Sequence, residues 1–275
     1  MCVHAACWGA GAERIVSLAP SLTELAFAAG AGSRVVGTVE YSDYPDAARS
    51  IPRVGDAFRV DFERLLALRP DAVLTWEPGT PHGVVQRLRD LHLNVVTVTT
   101  YNLADVAKGL RTIGALAGTQ EPAEKAAIAY ERDIERLRAE YSGEASIGIF
   151  LQINDRPLYT VNGRQIMSEV LTLCGGRNVF AELNELAPQI SVEAVIATNP
   201  QVILITGDSQ PESLTQWRRW KTLIAVRANN LYQVSADDLA RPTPRLAHGA
   251  QTVCRTLETA RQRLAKLQSP KQSQR

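Results

Sequence analysis

The sequence predicts an α/β protein of two Rossmann-like lobes with parallel sheets, joined by a single long α-helix. Three observations predict it. Short apolar β-rich runs alternate with helical stretches through both halves, the pattern of parallel sheets covered on both faces. One segment occurs twice without a gap: residues 61–74 (DFERLLALRPDAVL) line up on residues 191–204 (SVEAVIATNPQVIL). Between the halves runs a helical signal rich in Ala, Glu and Arg, from Glu121 to Tyr141 and closed by Gly143.

The elements follow in order. Residues 15–19 are a buried strand, and Ser21-x-x-Glu24 reads as a capping box ahead of Leu22, Leu25 and Phe27. Gly30 and Gly32 stop that helix, and residues 35–39 resume a strand. A polar, turn-rich stretch, 41–59, leads to the first repeat copy. Each copy reads as a cap (Asp61 or Ser191), a glutamate (Glu63 or Glu193), one short apolar helix, a proline stop (Pro70 or Pro200) and a buried strand. Residues 73–76 and 95–98 complete the four strands of the first half. The connecting helix has Pro122 in its first turn and no later breaker. At 1.5 Å per residue it makes a rod of roughly 30 Å, where a flexible linker would carry Gly and Ser.

The second half repeats the alternation. Residues 147–153 are a strand and 167–174 a helix, stopped by Gly175 and Gly176. The second repeat copy ends in a strand at 202–206, and another strand covers 231–235. A charged, proline-bearing loop follows at 236–244, then a closing helix at 244–267. The domain reading is residues 13–118 for the first lobe, 119–143 for the connecting helix, 144–267 for the second lobe and 268–275 for a disordered tail.

Composition narrows the function. The chain has 275 residues, 45% apolar and 21% charged, enough for two domains with full cores. A formal charge of +1 gives no reason to expect nucleic acid or an anionic membrane as partner. Residues 1–12 (MCVHAACWGAGA) end in a small-x-small sequence like a signal-peptidase site, yet lack a charged n-region. They read either as the remnant of a secretory leader or as a ragged cytosolic N-terminus. Cleavage after Ala12 would remove Cys2 and Cys7 and leave Cys174 and Cys254, both on apolar helical faces, as a disulfide or as two buried thiols.

Enzyme signatures are missing. There is no Walker loop, and Ala19-Pro20-Ser21 stands where a dinucleotide-binding glycine motif would follow the first strand. His4, His82, His92 and His248 are scattered without metal-ligand spacing, and no Gly-x-Ser-x-Gly elbow occurs. We therefore expect no catalytic residues, no metal and no cofactor. Glu63 and Glu193 would each be an ordinary first-turn carboxylate, worth about 0.3–1 kcal/mol through the helix dipole. As a matched pair they suit two cations on a pseudo-symmetric partner. Tyr41, Tyr44, Trp76 and Tyr159 fall at strand ends or loops; singly each reads as packing, and together they suit a large flat ligand. Asp237 and Arg241 add polar anchors, or else a loop ion pair of little worth. Trp217 and Trp220 read as surface-helix packing.

With these residues laid out, the chain resembles the periplasmic cobalamin-binding proteins of ABC importers. They belong to the helical-backbone (class III) substrate-binding proteins, which also serve ferric siderophores and haem. The likeness spans residues 14–267. Its motifs are IVSLAPSLTELAFAAG from Ile15, Tyr41-Ser42-Asp43-Tyr44-Pro45, FERLLALRPDAVLTW from Phe62, FLQ from Phe150, CGGRNVF from Cys174 and PQISVEAV from Pro188. The resemblance implies a periplasmic monomer that captures cobalamin or a related corrinoid in an interlobe cleft and delivers it to a permease and ATPase complex. It implies that Tyr41, Trp76, Tyr159, Asp237 and Arg241 line the cleft, that Glu63 and Glu193 dock onto permease arginines, and that Cys174 and Cys254 form a disulfide. Two departures stand out: close relatives place tryptophans against the ligand where this chain has Ala57, with Phe58 beside it, and Ala187. Other readings are a ferric-siderophore or haem binder of the same fold, and a cytosolic α/β enzyme or corrinoid-handling protein.

Overall fold

The computed structural model describes residues 11–56, 58–206 and 211–268. Ala57 therefore lies outside the described residues, as do Cys2, His4, Cys7 and the rest of residues 1–10. The strands are β1 (Ile15–Ser17), β2 (Val35–Gly37), β3 (Ala72–Glu77), β4 (Val95–Thr99), β5 (Ile147–Gln152), β6 (Asn154–Asp155), β7 (Leu158–Tyr159), β8 (Gly176–Asn178), β9 (Val202–Thr206) and β10 (Leu231–Val234). The α-helices are α1 (Pro20–Ala28), α2 (Phe62–Ala67), α3 (His82–Asp90), α4 (Leu103–Ala117), α5 (Gln120–Tyr141), α6 (Ile166–Leu173), α7 (Val192–Thr198), α8 (Pro211–Thr215), α9 (Ile224–Arg227), α10 (Ala236–Leu239) and α11 (Leu246–Gln268). Contacts divide the chain into two units. The first takes the chain up to Thr100 and Ala104–Ala129, the second Tyr101–Leu103 and the chain from Tyr130 onward.

Each unit holds a four-stranded parallel sheet. Unit 1 is ordered β2-β1-β3-β4, with Ser17 beside Leu74 and Val73 beside Val95. Unit 2 is ordered β8-β5-β9-β10, with Ile149 beside Val202 and Leu231 beside Ile203. Numbered within its own unit, each sheet has the order 2-1-3-4, so the repeat in the sequence is a repeat of topology. The local chemistry repeats as well. Asp61 accepts the Arg64 amide at 3.0 Å at the start of α2, and Ser191 accepts the Ala194 amide at 3.1 Å at the start of α7. Both helices end on a left-handed residue just before the proline, Arg69 at φ 46° and Asn199 at φ 43°.

The cores follow from strand alternation. Val16 and Val73 join Leu18, Val39, Leu65 and Leu88 in one apolar cluster of unit 1. Ala72 and Leu74, pointing to the opposite face, are equally buried. In unit 2 the cluster gathers Phe150, Phe180, Val195, Ile203, Ile205 and Trp217. Helix α5 buries Ala123, Ala127, Tyr130, Ile134, Leu137 and Tyr141, a stripe at three- and four-residue spacing along a single helix face. The chain passes from unit 1 to unit 2 within this helix. Cys174 and Cys254 form a disulfide that ties the end of α6 to α11.

Several expectations need correction. The box Ser21-x-x-Glu24 does not cap α1: Pro20 starts the helix, Ala19 is its cap without a side-chain bond, and Ser21 and Glu24 are buried. Residues 176–178, which begin with a glycine read as part of a helix stop, form the edge strand β8 through their backbone pairing with β5. The stretch read as a loop at 236–244 begins with helix α10, capped by Ser235. The closing helix starts at Leu246, two residues later than expected, and includes Gln268, which was assigned to the disordered tail. Trp217 is a core residue, 1% exposed, packed edge-on against Phe150 with ring centres 5.5 Å apart.

Candidate ligand-binding edges and docking helices

In open parallel sheets, ligand-facing groups collect beyond the carboxyl ends of the strands. In unit 1 the chain leaving β2 runs through Thr38, Val39 and Glu40, with residues 52–55 hydrogen-bonded alongside. Thr38 donates its amide to Pro52 O and accepts from Val54, and the Glu40 amide meets Gly55 O at 2.9 Å. Tyr41 then turns at φ 64°, a left-handed conformation rare for a large side chain. Burial offers little to offset this, since the residue is 77% exposed. Tyr44 is also exposed. Beyond Gly55 the chain reverses and pairs again at Val60. Asp56 Oδ1 organises that reversal by accepting the Phe58 and Arg59 amides, both at 2.7 Å. Those amide bonds hold the Asp56 carboxyl below the ordinary carboxylate range. Phe58, at the reversal, is 73% exposed.

Trp76 sits at the carboxyl end of β3, half-buried. Its indole N–H donates to Thr100 Oγ1 at 2.6 Å, and its amide donates to Thr80 Oγ1 at 2.9 Å. Gly79 lies against the ring, where a Cβ would come within 2.0 Å of it. The indole is thus fixed from two sides.

Next to Tyr41 in the chain, Thr38 and Ser42 join a group of hydroxyls that sequence reading missed, because serine and threonine near strand ends look like turn formers. Ser17, Thr23, Thr38 and Ser42 are all buried. Thr23 Oγ1 lies 3.0 Å from Ser17 Oγ and 2.6 Å from Thr38 Oγ1, and Thr38 Oγ1 donates to Ser42 Oγ at 2.8 Å. Arg53 closes the assembly, its Nη2 donating to Ser42 O at 2.9 Å.

In unit 2, Tyr159 ends β7 and pairs with Gln189. It belongs to the β6–β7 ribbon, and the chain after it donates the Thr160 amide to Pro188 O and the Asn162 amide to Leu186 O. Ala187, between those acceptors, is exposed. Asp237 and Arg241 lie beyond β10, at the start and just past the end of α10. They pair at 2.9 Å, with the guanidinium 17% exposed and the carboxylate 47%. Gln152, at the end of β5, accepts from the Trp217 indole at 2.8 Å.

Glu63 and Glu193 occupy the same place in α2 and α7, the second residue of each helix. Both are exposed, and neither has an ion-pair partner among the described residues. A cavity of about 290 Å³ in unit 2 is lined by Leu103, Arg138, Tyr141, Glu144 and Glu169. It contains none of the anticipated ligand residues, and its charges are engaged: Glu169 accepts the Leu103 amide and Arg138 pairs with Glu135. Among the described residues there is no cluster of three or more His, Cys, Asp or Glu side chains that would hold a metal, and no helix is long and apolar enough to cross a membrane.

Comparison with known proteins matches residues 15–237 to the family described as periplasmic binding protein. The chain is 36% identical over 250 residues to the vitamin B12-binding protein of Vibrio cholerae serotype O1, covering 90% of each. A crystal structure of the periplasmic vitamin B12 binding protein BtuF of Vibrio cholerae superposes with a TM-score of 0.86 at 35% identity, over 91% of this chain and 98% of that one. A periplasmic heme binding protein from Pseudomonas aeruginosa superposes at 0.77 with 26% identity, over 88% of this chain and 91% of its own. The match extends through the duplicated sheets, the connecting helix and the strand edges described above, and this chain belongs to the periplasmic binding protein family.

Proposed function

We propose that this chain is the substrate-binding component of an ABC importer, that it holds cobalamin or a related corrinoid, and that it delivers the ligand to a permease and ATPase complex. The observation that carries this reading is the 36% identity, over nine-tenths of both chains, to a protein named for binding vitamin B12. The chemistry of the strand edges agrees with it. A corrin is broad, flat and fringed with amides, so it calls for aromatic surface and a few polar anchors. In unit 1, Tyr41 and Trp76 supply the aromatic surface; in unit 2, Tyr159 supplies more, and Asp237 and Arg241 orient the amide fringe. Glu63 and Glu193 dock the protein onto arginines of the permease. The protein makes and breaks no bonds in its cargo, and it acts as a periplasmic monomer.

The test is a titration of the purified chain with cyanocobalamin, followed by calorimetry, with hemin as the competing ligand. Saturable binding of cobalamin at one site per chain, with hemin binding at least tenfold weaker, is the expected result. Tight hemin binding without cobalamin binding would move the assignment to the haem branch of the family, where a 26% identical structure lies. Binding of neither would end the corrinoid reading.

A further inference from the structure

Tyr41 poses a physical problem that its own contacts do not solve. A large side chain at φ 64° is strained, and strain of this kind persists only where the surroundings over-determine it. Burial offers little compensation, because 77% of the residue faces solvent. The compensation lies in the backbone on either side. Glu40 is tied through its amide to Gly55 O, and Ser42 returns its amide to Val39 O at 3.3 Å. The Ser42 hydroxyl accepts from buried Thr38, while the Ser42 carbonyl accepts from Arg53. Arg53 is itself fixed by donating Nη1 to Ala48 O at 3.0 Å and to Ile51 O at 2.8 Å. The residues before and after Tyr41 are therefore held through hydrogen bonds that do not involve its side chain.

We propose that Thr38, Ser42 and Arg53 are positioning residues for ligand capture: they clamp the turn so that the Tyr41 ring is presented before the ligand arrives. The proposal rests on the reading of Tyr41 as a ligand contact. Its physical content is preorganisation, in which the ordering of a contact residue is completed during folding and is not charged to binding.

Two measurements on the full chain test it separately from the ligand assignment. The first needs no ligand. Amide exchange at Glu40 in Thr38→Val should run at least tenfold faster than in wild type, and unchanged exchange would overturn the clamp. The second is a double-mutant cycle with cyanocobalamin. Thr38→Val should weaken binding about tenfold in the wild-type background and less than twofold in Tyr41→Ala, because the hydroxyl acts only through that ring. Thr38→Ser, which keeps the donor, should restore wild-type affinity. Equal losses in both backgrounds would reduce Thr38 to a general structural residue and refute the proposal. A wild-type chain that fails to bind cobalamin sinks the ligand assignment, while the exchange result still decides whether the clamp exists. If Thr38→Val does not fold, Ser42→Ala carries the same two measurements with the same outcomes.

Discussion

Cutting the Cys174–Cys254 bond isolates one large contribution to the stability of unit 2, and its size follows from the chain path. The two cysteines are separated by 80 positions. In the chain-entropy model a loop of that length removes about 15 cal/mol/K from the unfolded ensemble, or about 4.5 kcal/mol at 25 °C. Both residues are fully buried, so reduction leaves the thiols packed between α6 and α11 and changes mainly the unfolded state. Residual structure in the unfolded chain makes this figure a ceiling. For a unit of this size each kcal/mol moves the midpoint by about 2–4 °C, so full reduction should lower the melting temperature of unit 2 by about 9–18 °C. Calorimetry with and without a phosphine reductant reads the shift, with thiol titration to confirm reduction and the double variant Cys174→Ala, Cys254→Ala as an irreversible counterpart. The buried indole of Trp217 provides a fluorescence signal within unit 2. A confirmed reduction that moves the midpoint by less than about 3 °C would refute the reasoning.

Other substitutions probe the remaining assignments. Trp76→Ala should weaken cobalamin binding at least tenfold, about 1.4 kcal/mol, and calorimetry showing wild-type affinity would remove Trp76 from the ligand edge. The pair Glu63→Ala, Glu193→Ala should leave cobalamin affinity unchanged and abolish transport into proteoliposomes carrying the cognate permease and ATPase; transport at the wild-type rate would end the docking assignment. Trp217→Ala should cost about 3–5 kcal/mol in urea unfolding, as deletion of a large core aromatic does. Half-exposed Trp220→Ala should cost far less, and equal losses would contradict the core placement of Trp217.

What the sequence made legible was whatever rests on local periodicity. The two copies of cap, glutamate, apolar helix, proline and strand were readable because each part has its own chemistry: an Asp or Ser oxygen for the third amide, a ring that halts the helix, and a run of Val, Ile and Leu for a strand buried on both faces. The long helix α5 was readable for the same reason. Strand β8 was not, since Gly176, Arg177 and Asn178 carry no apolar signal: they pair with β5 through the backbone, and the buried Asn178 side chain is held by Val161 O and Ser168 Oγ. Trp217 was misjudged because its charged neighbours Arg218 and Arg219 suggest a solvated surface, whereas the short 3-10 turn aims its indole inward at Gln152. For the candidate site, the positions of Trp76 and Tyr159 at strand ends were legible from element boundaries. Asp237 and Arg241 form the ion pair that the sequence offered as one of two readings, at 2.9 Å, with Asp237 in α10 and Arg241 just past its end. The left-handed turn at Tyr41 left no local trace, because the groups that hold it come from Thr38 on one side and Arg53 on the other.

The duplicated and unduplicated parts of the chain point to different partners. Sheet order, the caps at Asp61 and Ser191, the left-handed ends at Arg69 and Asn199, and the glutamates at positions 63 and 193 all occur twice. The sheet order, caps and helix ends serve the fold of each unit, whereas the exposed first-turn carboxylates make no ion pair among the described residues and suit paired cations on a partner with two similar faces, the proposed docking role. The strand edges do not repeat. Unit 1 carries the turn at Tyr41 and the fixed indole of Trp76, whereas unit 2 carries Tyr159 at the end of β7 and the Asp237–Arg241 ion pair beyond β10. An asymmetric cargo, with different groups along its rim, asks for that kind of divergence. Exchanging the two roles would be unphysical: a two-fold partner gains nothing from unlike edges, and an irregular ligand gains nothing from like ones. The proposed division of labour, symmetric helices for docking and dissimilar edges for capture, follows from this mismatch, and the glutamate pair and the Tyr41 cycle test its two halves independently.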